Sequence, residues 1–387
     1  VSLSALLTGR GKLLALMIAH FVNDTYANFL PVFLPLLRLK FELTLTLVGL
    51  LSSVYTVTAS LSQILFGYMA DRLSRIHFIA LGPLLTGILM SVVGLMPDYT
   101  LVLLVLIVSA LGTAMFHPQA ASLAGGLSKA YKGLAVSLFI AAGTFGFAFG
   151  PLMMAAFINT FGFESSYWGV LPLLILAPVL LLTNRQTNHA AKAESLEIRD
   201  ELFQNYRSLL LLWALVVLRH TVFLAFLTFL LILLSERGAG YLAGSLALFA
   251  FLFSGTVGGL AGGYFSDLWG RKRIVIVSLL LAFPAGLGFL STPGPIALIF
   301  LMITGALLQA SNPVIVAQAQ EIVPGSAGTA SAITMGLGWG VAGLLIGVVG
   351  YLADQLGVAS ALKFVNYAAI GAAIGLAIGL YRDPRLR

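Results

Sequence analysis

The 387 residues are 59% hydrophobic and 9% charged, with a mean hydropathy of +1.02. That balance leaves too little polar surface for a soluble protein of this length and points to a polytopic membrane chain. The net charge of +7 does not mark a nucleic-acid-binding face, because Lys and Arg fall in short runs between apolar spans, and the absence of cysteine excludes disulfides, thiolate chemistry and zinc–cysteine sites.

Apolar runs long enough to cross a bilayer, about 20 residues, can be placed twelve times. They fall at 11–37, 44–70, 77–97, 99–124, 132–160, 166–183, 207–235, 240–266, 274–291, 295–321, 327–353 and 358–381. Backbone polar groups in lipid need partners within the segment, so each run is expected to be a helix. The first is too long for a signal-peptide core and lacks a cleavage site, so it is expected to stay in the mature chain.

The first span carries the sharpest site signal. At helical spacing His20, Asn23, Asp24 and Asn28 share one face, with no other ionisable group before Arg38. Asp24 lies about halfway along, where a carboxylate costs at least ~2.5–3.5 kcal/mol on insertion scales, so it is expected to face a polar cavity. It is the leading candidate for a protonatable coupling group. The competing reading is a permanent ion pair with a partner helix.

After the second span comes Gly67-Tyr68-Met69-Ala70-Asp71-Arg72-Leu73-Ser74-Arg75. Gly67 is expected to allow close helix contact. Asp71 is placed to meet the positive N-terminal end of the eleventh span, which follows Pro324-Gly325 with Ser326 as N-cap. In the fourth span His117 precedes Pro118. A histidine titrates near about 6.5 in water and can relay protons or bind substrate, although a membrane histidine is as often only hydrogen-bonded between helices. In the fifth span Gly146-x-x-x-Gly150-Pro151 permits a tight crossing and a fixed bend.

Arg219 and His220 sit near the middle of the seventh span. Arg219 is the one arginine placed in the hydrocarbon core, and its planar fork suits a carboxylate or phosphonate. It either neutralises Asp24 or binds an anionic substrate. The charged loop then returns as Gly263-Tyr264-Phe265-Ser266-Asp267-Leu268-Trp269-Gly270-Arg271, where Asp267 is expected to meet the start of the fifth span near Lys132 and Gly133. In the tenth span Gln309, Asn312 and Gln320 form a polar stripe that suits a cavity wall, and Glu321 falls at the rim.

The two halves align at an offset of 195 or 196, which places Asp71 on Asp267, His117-Pro118 on Asn312-Pro313, Gly133 on Gly328 and Gly143 on Gly338. Parallel six-helix repeats with substrate held near the midplane are a known transporter plan. The expected fold is therefore an all-α membrane protein of twelve transmembrane helices in two pseudo-symmetric six-helix bundles, 1–183 and 207–387. A cytoplasmic linker, 184–206, separates them, with a surface helix as one option. Loops on the terminal side carry sixteen Lys and Arg and the opposite side four (Arg38, Lys40, Arg237 and Lys363), so both termini are expected in the cytoplasm.

With these landmarks the chain resembles the major facilitator superfamily: the Gly-x-x-x-Asp-x-x-x-Arg loop of both halves is similar to that superfamily's signature between helices 2 and 3. His20-Phe21-Val22-Asn23-Asp24, Phe116-His117-Pro118, Gly146-Phe147-Ala148-Phe149-Gly150-Pro151 and Ala319-Gln320-Glu321-Ile322-Val323-Pro324-Gly325 resemble its fosmidomycin-resistance branch. The resemblance implies secondary active, proton-driven efflux of a small molecule across a bacterial-type inner membrane. Gly146-x-x-x-Gly150-Pro151 also resembles the superfamily's antiporter motif, though Met153 and Met154 stand where glycine usually continues it, and the arginine many drug/proton antiporters carry in helix 4 is absent.

The expected substrate-binding set is His20, Asn23, Asp24, Asn28, His117, Arg219, His220, Gln309 and Asn312, with Asp24 and His117 as proton-coupling groups. The expected gating set is Gly67, Asp71, Arg72, Arg75, Gly263, Asp267 and Arg271. No nucleotide-binding loop, His-Glu-x-x-His pattern or nucleophile elbow is present. The expectation is thus a transporter rather than an enzyme, without cofactor or metal site. Its partners would be a small-molecule substrate, protons and the lipid bilayer, and its working unit a monomer. The rival within transport is a proton-coupled symporter or facilitator that takes up an organic acid or other nutrient. A channel or a membrane enzyme is the rival from other classes.

Overall fold

The protein was analysed as a computed structural model, which describes residues 9–70, 75–127, 132–174, 176 and 202–380. Every regular element among the described residues is helical. Ten of these helices are long and apolar enough to cross a membrane, and they coincide with the second to fifth and seventh to twelfth expected spans.

The first and sixth spans differ from expectation for identifiable reasons. The first is two helices, α1 (Gly9–Ala27) and α2 (Leu30–Lys40), rather than one. Pro31 stands at the start of α2 and has no N–H to give the Ala27 carbonyl, so the chain tightens there into an i→i−3 bond from Phe29 N to Tyr26 O at 3.1 Å. The sixth opens in a 3₁₀ turn, Glu164–Val170, and runs on into residues outside those described. The linker expected at 184–206 also falls mostly outside them.

The remaining helices are α3 (Leu45–Ala70), α4 (Arg75–Val92), α5 (Tyr99–Gly126), α6 (Lys132–Phe161), α7 (Tyr206–Glu236), α8 (Tyr241–Trp269), α9 (Arg271–Ser291) and α10 (Pro295–Ile322). After them come α11 (Ala327–Ser331), α12 (Gly338–Leu356), α13 (Val358–Val365) and α14 (Gly371–Leu380). Wider π turns, Ala332–Leu337 and Asn366–Ile370, join α11 to α12 and α13 to α14. The one-residue joint between α8 and α9 is Gly270 at φ +93°, a conformation that a side chain would strain.

The helices group into two compact units. The first takes the chain up to Phe41 and again from Val54 through the first half. The second takes Glu42–Ser53 with the second half, so α3 contributes its opening turns to the second unit and its remainder to the first.

In the first unit α1 lies against α6 and also meets α4 and α5. The α1–α6 crossing is made by glycine: a Cβ on Gly146 would run into the Phe21 carbonyl, and one on Gly150 into the Thr25 carbonyl. In the second unit α7 is the central helix. It buries 94% of its apolar stretch, where the other spanning helices bury 33–61%. The tight crossing of α8 with α10 comes from Gly258 and Gly262, whose Cβ atoms would meet the backbone of Ala306 and Ala310. Gly263, the counterpart of Gly67 in the repeat, has only an ordinary contact with Pro313 at 3.8 Å, and a Cβ on Gly67 would meet nothing among the described residues within 4 Å.

Candidate functional site

In the first unit α1, α5 and α6 build a polar cluster around Asp24. His20 Nε2 lies 3.2 Å from Asp24 Oδ2, one helical turn away, and His117 Nε2 of α5 lies 3.4 Å from Asp24 Oδ1. Asn23 Nδ2 donates to the same Oδ1 at 3.0 Å. The Asp24 side chain is 13% exposed and that of His117 28%, whereas Asn23 is fully buried. His20 is held on every side. Its ring stacks on Phe139 with centroids 4.1 Å apart, tilts against Phe116 at 5.7 Å, and occupies the space a Cβ on Gly143 would need.

The tautomer of His20 follows from one contact. Its Nδ1 is 2.8 Å from the Phe139 carbonyl, which can only accept, so Nδ1 carries the hydrogen. Nε2 then faces the Asp24 carboxyl across a proton, carried by the ring or by the acid, or across another cation. A bare lone pair opposite a carboxylate oxygen would be repulsive. The contact thus needs a shared proton or another cation.

Asn28, in the turn after α1, is not aimed at Asp24. Its Nδ2 donates to the Phe147 carbonyl of α6 at 2.6 Å. Pro151 cannot supply the helical N–H that this carbonyl would otherwise take, so Asn28 replaces it. Thr25, which sequence analysis did not single out, donates to the Gly146 carbonyl at 3.4 Å.

The second unit buries Arg219 at the middle of α7, with none of its side chain exposed. Nη1 donates to the Leu308 carbonyl at 2.6 Å and to Gln309 Oε1 at 3.1 Å. Nη2 donates to Asn312 Oδ1 at 2.8 Å and approaches the His220 ring at 2.9 Å. His220 Nδ1 points to the Val216 carbonyl at 3.2 Å, which makes Nε2 the acceptor for the guanidinium. Trp339 closes this side, 4.3 Å from the His220 ring. The structure therefore brings Arg219, His220, Gln309 and Asn312 together. Every partner is neutral, Arg219 Nε has no partner, and among the described residues of its own unit no carboxylate forms an ion pair with it.

Of the charged loops, the second is visible. Asp267 Oδ1 pairs with Arg271 Nη1 at 2.6 Å, and Arg271 Nη2 reaches Glu321 Oε1 of α10 at 2.8 Å. Nη1 also donates to Ser266 Oγ at 2.6 Å. Asp267 was expected to meet the start of α6, where the side chain of Lys132 is not among those described; its described partner is Arg271. Gln320 leaves the expected polar stripe to donate to Ser331 Oγ at 2.7 Å. Asp71 and Arg72 lie outside the described residues, as does the side chain of Arg75, which opens α4.

Ten spanning helices, one of which buries an arginine at its middle, together with an acid buried on the preceding helix α1, mark an integral membrane protein, and its family makes it a transporter rather than an enzyme. The chain belongs to the Major Facilitator Superfamily, whose family model matches residues 16–347. It is 28% identical over 369 residues to the fosmidomycin resistance protein of Escherichia coli (strain K12), covering 93% of this chain and 90% of that one. It is 26% identical over 395 residues to the uncharacterized MFS-type transporter YfnC of Bacillus subtilis (strain 168), covering 97% and 94%. Among solved structures, the nucleoside transporter NupG superposes with a TM-score of 0.73 at 14% identity over 96% of this chain and 98% of that one. A bacterial homolog of the human lysosomal transporter Spinster, in an inward-facing and unoccupied conformation, gives 0.71 at 17% identity over 95% and 94%.

Proposed function

We propose that the chain exports a small anionic organic compound, of the kind represented by fosmidomycin, in exchange for protons. The halves would give access to each side in turn, and both ends of the chain would lie in the cytoplasm of an inner membrane. The observation that carries this reading is Arg219. A fully buried guanidinium held only by neutral acceptors is costly in an apolar span, and a carboxylate or phosphonate meeting its fork would relieve that cost. The relative named for fosmidomycin resistance supports a compound of this class. The cluster around Asp24 supports proton coupling, because His20, Asp24 and His117 require a positive charge among them and a proton is the smallest that fits. One proton moved through 100 mV supplies about 2.3 kcal/mol, roughly a 40-fold gradient at 1.4 kcal/mol per tenfold.

Proteoliposomes with an imposed pH gradient test the proposal, with internal pH recorded while fosmidomycin and other organic anions are added. The expected result is substrate-triggered proton flux that Asp24→Asn abolishes. Arg219→Lys, which keeps the charge but loses the fork, should cut flux by at least about tenfold while inserting normally. Flux that persists in Asp24→Asn defeats proton coupling through this residue. Flux of the opposite sign makes the chain an uptake symporter.

A further inference from the structure

We infer that His20, Asp24 and His117 form a binding site for a divalent transition-metal ion of zinc's chemistry, with ligands drawn from α1 and α5. One ligand atom from each residue lies within 4.8 Å of the other two. The histidine–carboxylate separations, 3.2 Å to Asp24 Oδ2 and 3.4 Å to Oδ1, are close to the ligand–ligand distance at zinc for a carboxylate that turns one oxygen toward each ring. Zinc–nitrogen and zinc–oxygen bonds of about 2.0–2.1 Å set ligand–ligand distances of about 3.3–3.4 Å. Two imidazoles and one carboxylate are a familiar open zinc set, leaving the fourth position to water. Nitrogen donors of this kind disfavour magnesium and calcium.

The surroundings are those of a supported ligand set. A metal-bound histidine gives its other N–H to an outer acceptor, which fixes ring and tautomer. His20 does this through Nδ1 and the Phe139 carbonyl, leaving Nε2 toward Asp24. Packing against Phe139, Phe116 and Gly143 fixes the ring further. Asn23 holds the carboxylate through Oδ1 of Asp24, while its own Oδ1 is buried without a partner. A turn of that amide would offer one more oxygen beside the carboxylate. The sequence carries no contiguous metal motif because the third ligand comes from a different helix. Metal capture at this site does not depend on what the chain transports.

The test uses tag-free protein in detergent, with zinc chloride titrated against a chromogenic chelator. One zinc per chain is expected, undisturbed by excess magnesium. Loss of even an outer partner weakens zinc sites by about 10–100-fold, so Asp24→Asn and His117→Gln should each weaken binding by more than about 100-fold. The exposed His77→Gln should leave it unchanged. The unmutated chain provides a second readout: zinc should protect His117 from diethylpyrocarbonate, and zinc-edge absorption should show two imidazole nitrogens. Absence of saturable binding, binding that survives Asp24→Asn and His117→Gln, or full modification of His117 in the presence of zinc would each overturn the inference.

Discussion

Asn28 spends its amide on the one carbonyl of α6 that Pro151 leaves without a helical donor. A buried acceptor stripped of its partner costs about 1–3 kcal/mol, so Asn28→Ala should lower the apparent melting temperature in detergent. In a Pro151→Ala background residue 151 regains an N–H, and the Phe147 carbonyl no longer needs Asn28. The same Asn28→Ala change should then cost clearly less, and equal losses in both backgrounds would refute the pairing. This dependence shows where a sequence reading stops. Asn28 shares a helical face with Asp24, and face-sharing alone groups them as one site, but the partner that claims Asn28 sits on another helix. The same limit hid the contact of His117 with Asp24. Both residues are legible as costly groups in apolar spans, while their meeting is a tertiary fact with no local signature. The bonds from Arg219 to Gln309 and Asn312 join α7 to α10 in the same way, with no local signature either.

At the scale of helices, small residues matter through what they face rather than through their spacing. Gly146 and Gly150 stand against backbone carbonyls of α1, which cannot swing aside as a flexible side chain can. Gly67 belongs to a motif of equal prominence in the sequence, yet none of the described residues stands where its Cβ would be. Gly146→Ala should therefore force α1 away from α6 and disturb the His20–Phe139 bond, with a loss of folded protein in the several-kilocalorie range typical of overpacking, about 1–3 kcal/mol or more. Gly67→Ala should fold as the parent does. Yields of monodisperse protein and melting curves of the two variants decide the matter, and comparable damage from both would show that the crossing is set elsewhere. The break between α1 and α2 follows the same logic of backbone accounting. Pro31 and Pro35 are plain in the sequence, but apolar continuity from 11 to 37 reads as a single span until the missing donor at Pro31 is counted.

At the scale of the whole chain, hydropathy made the helices legible because lipid permits little else. Hydropathy does not show that the first turns of α3 group with the second unit. One contact that joins them is made by Asp354 of α12, 308 positions from Thr46. Its carboxylate accepts from Leu45 N at 2.7 Å, Thr46 N at 2.8 Å and Thr46 Oγ1 at 2.5 Å, which satisfies donors left free at the start of α3 and places a negative charge at its positive end. Ser53 Oγ accepts from Gly347 N at 2.9 Å one stage further along, and a Cβ on Gly350 would run into the Leu45 carbonyl. A hydrogen bond to a charged group contributes about 1.5–3 kcal/mol, so losing this carboxylate should shift the balance between a joined and a parted α3–α12 contact by at least about tenfold. Because the chain has no cysteine, spin labels at Glu42→Cys and Leu356→Cys report this contact without background. With Asp354 present a single short distance is expected, and Asp354→Ala should add a longer population at its expense. An unchanged distance distribution would mean that the glycine packing alone holds α3 to α12 and that Asp354 serves only as a cap.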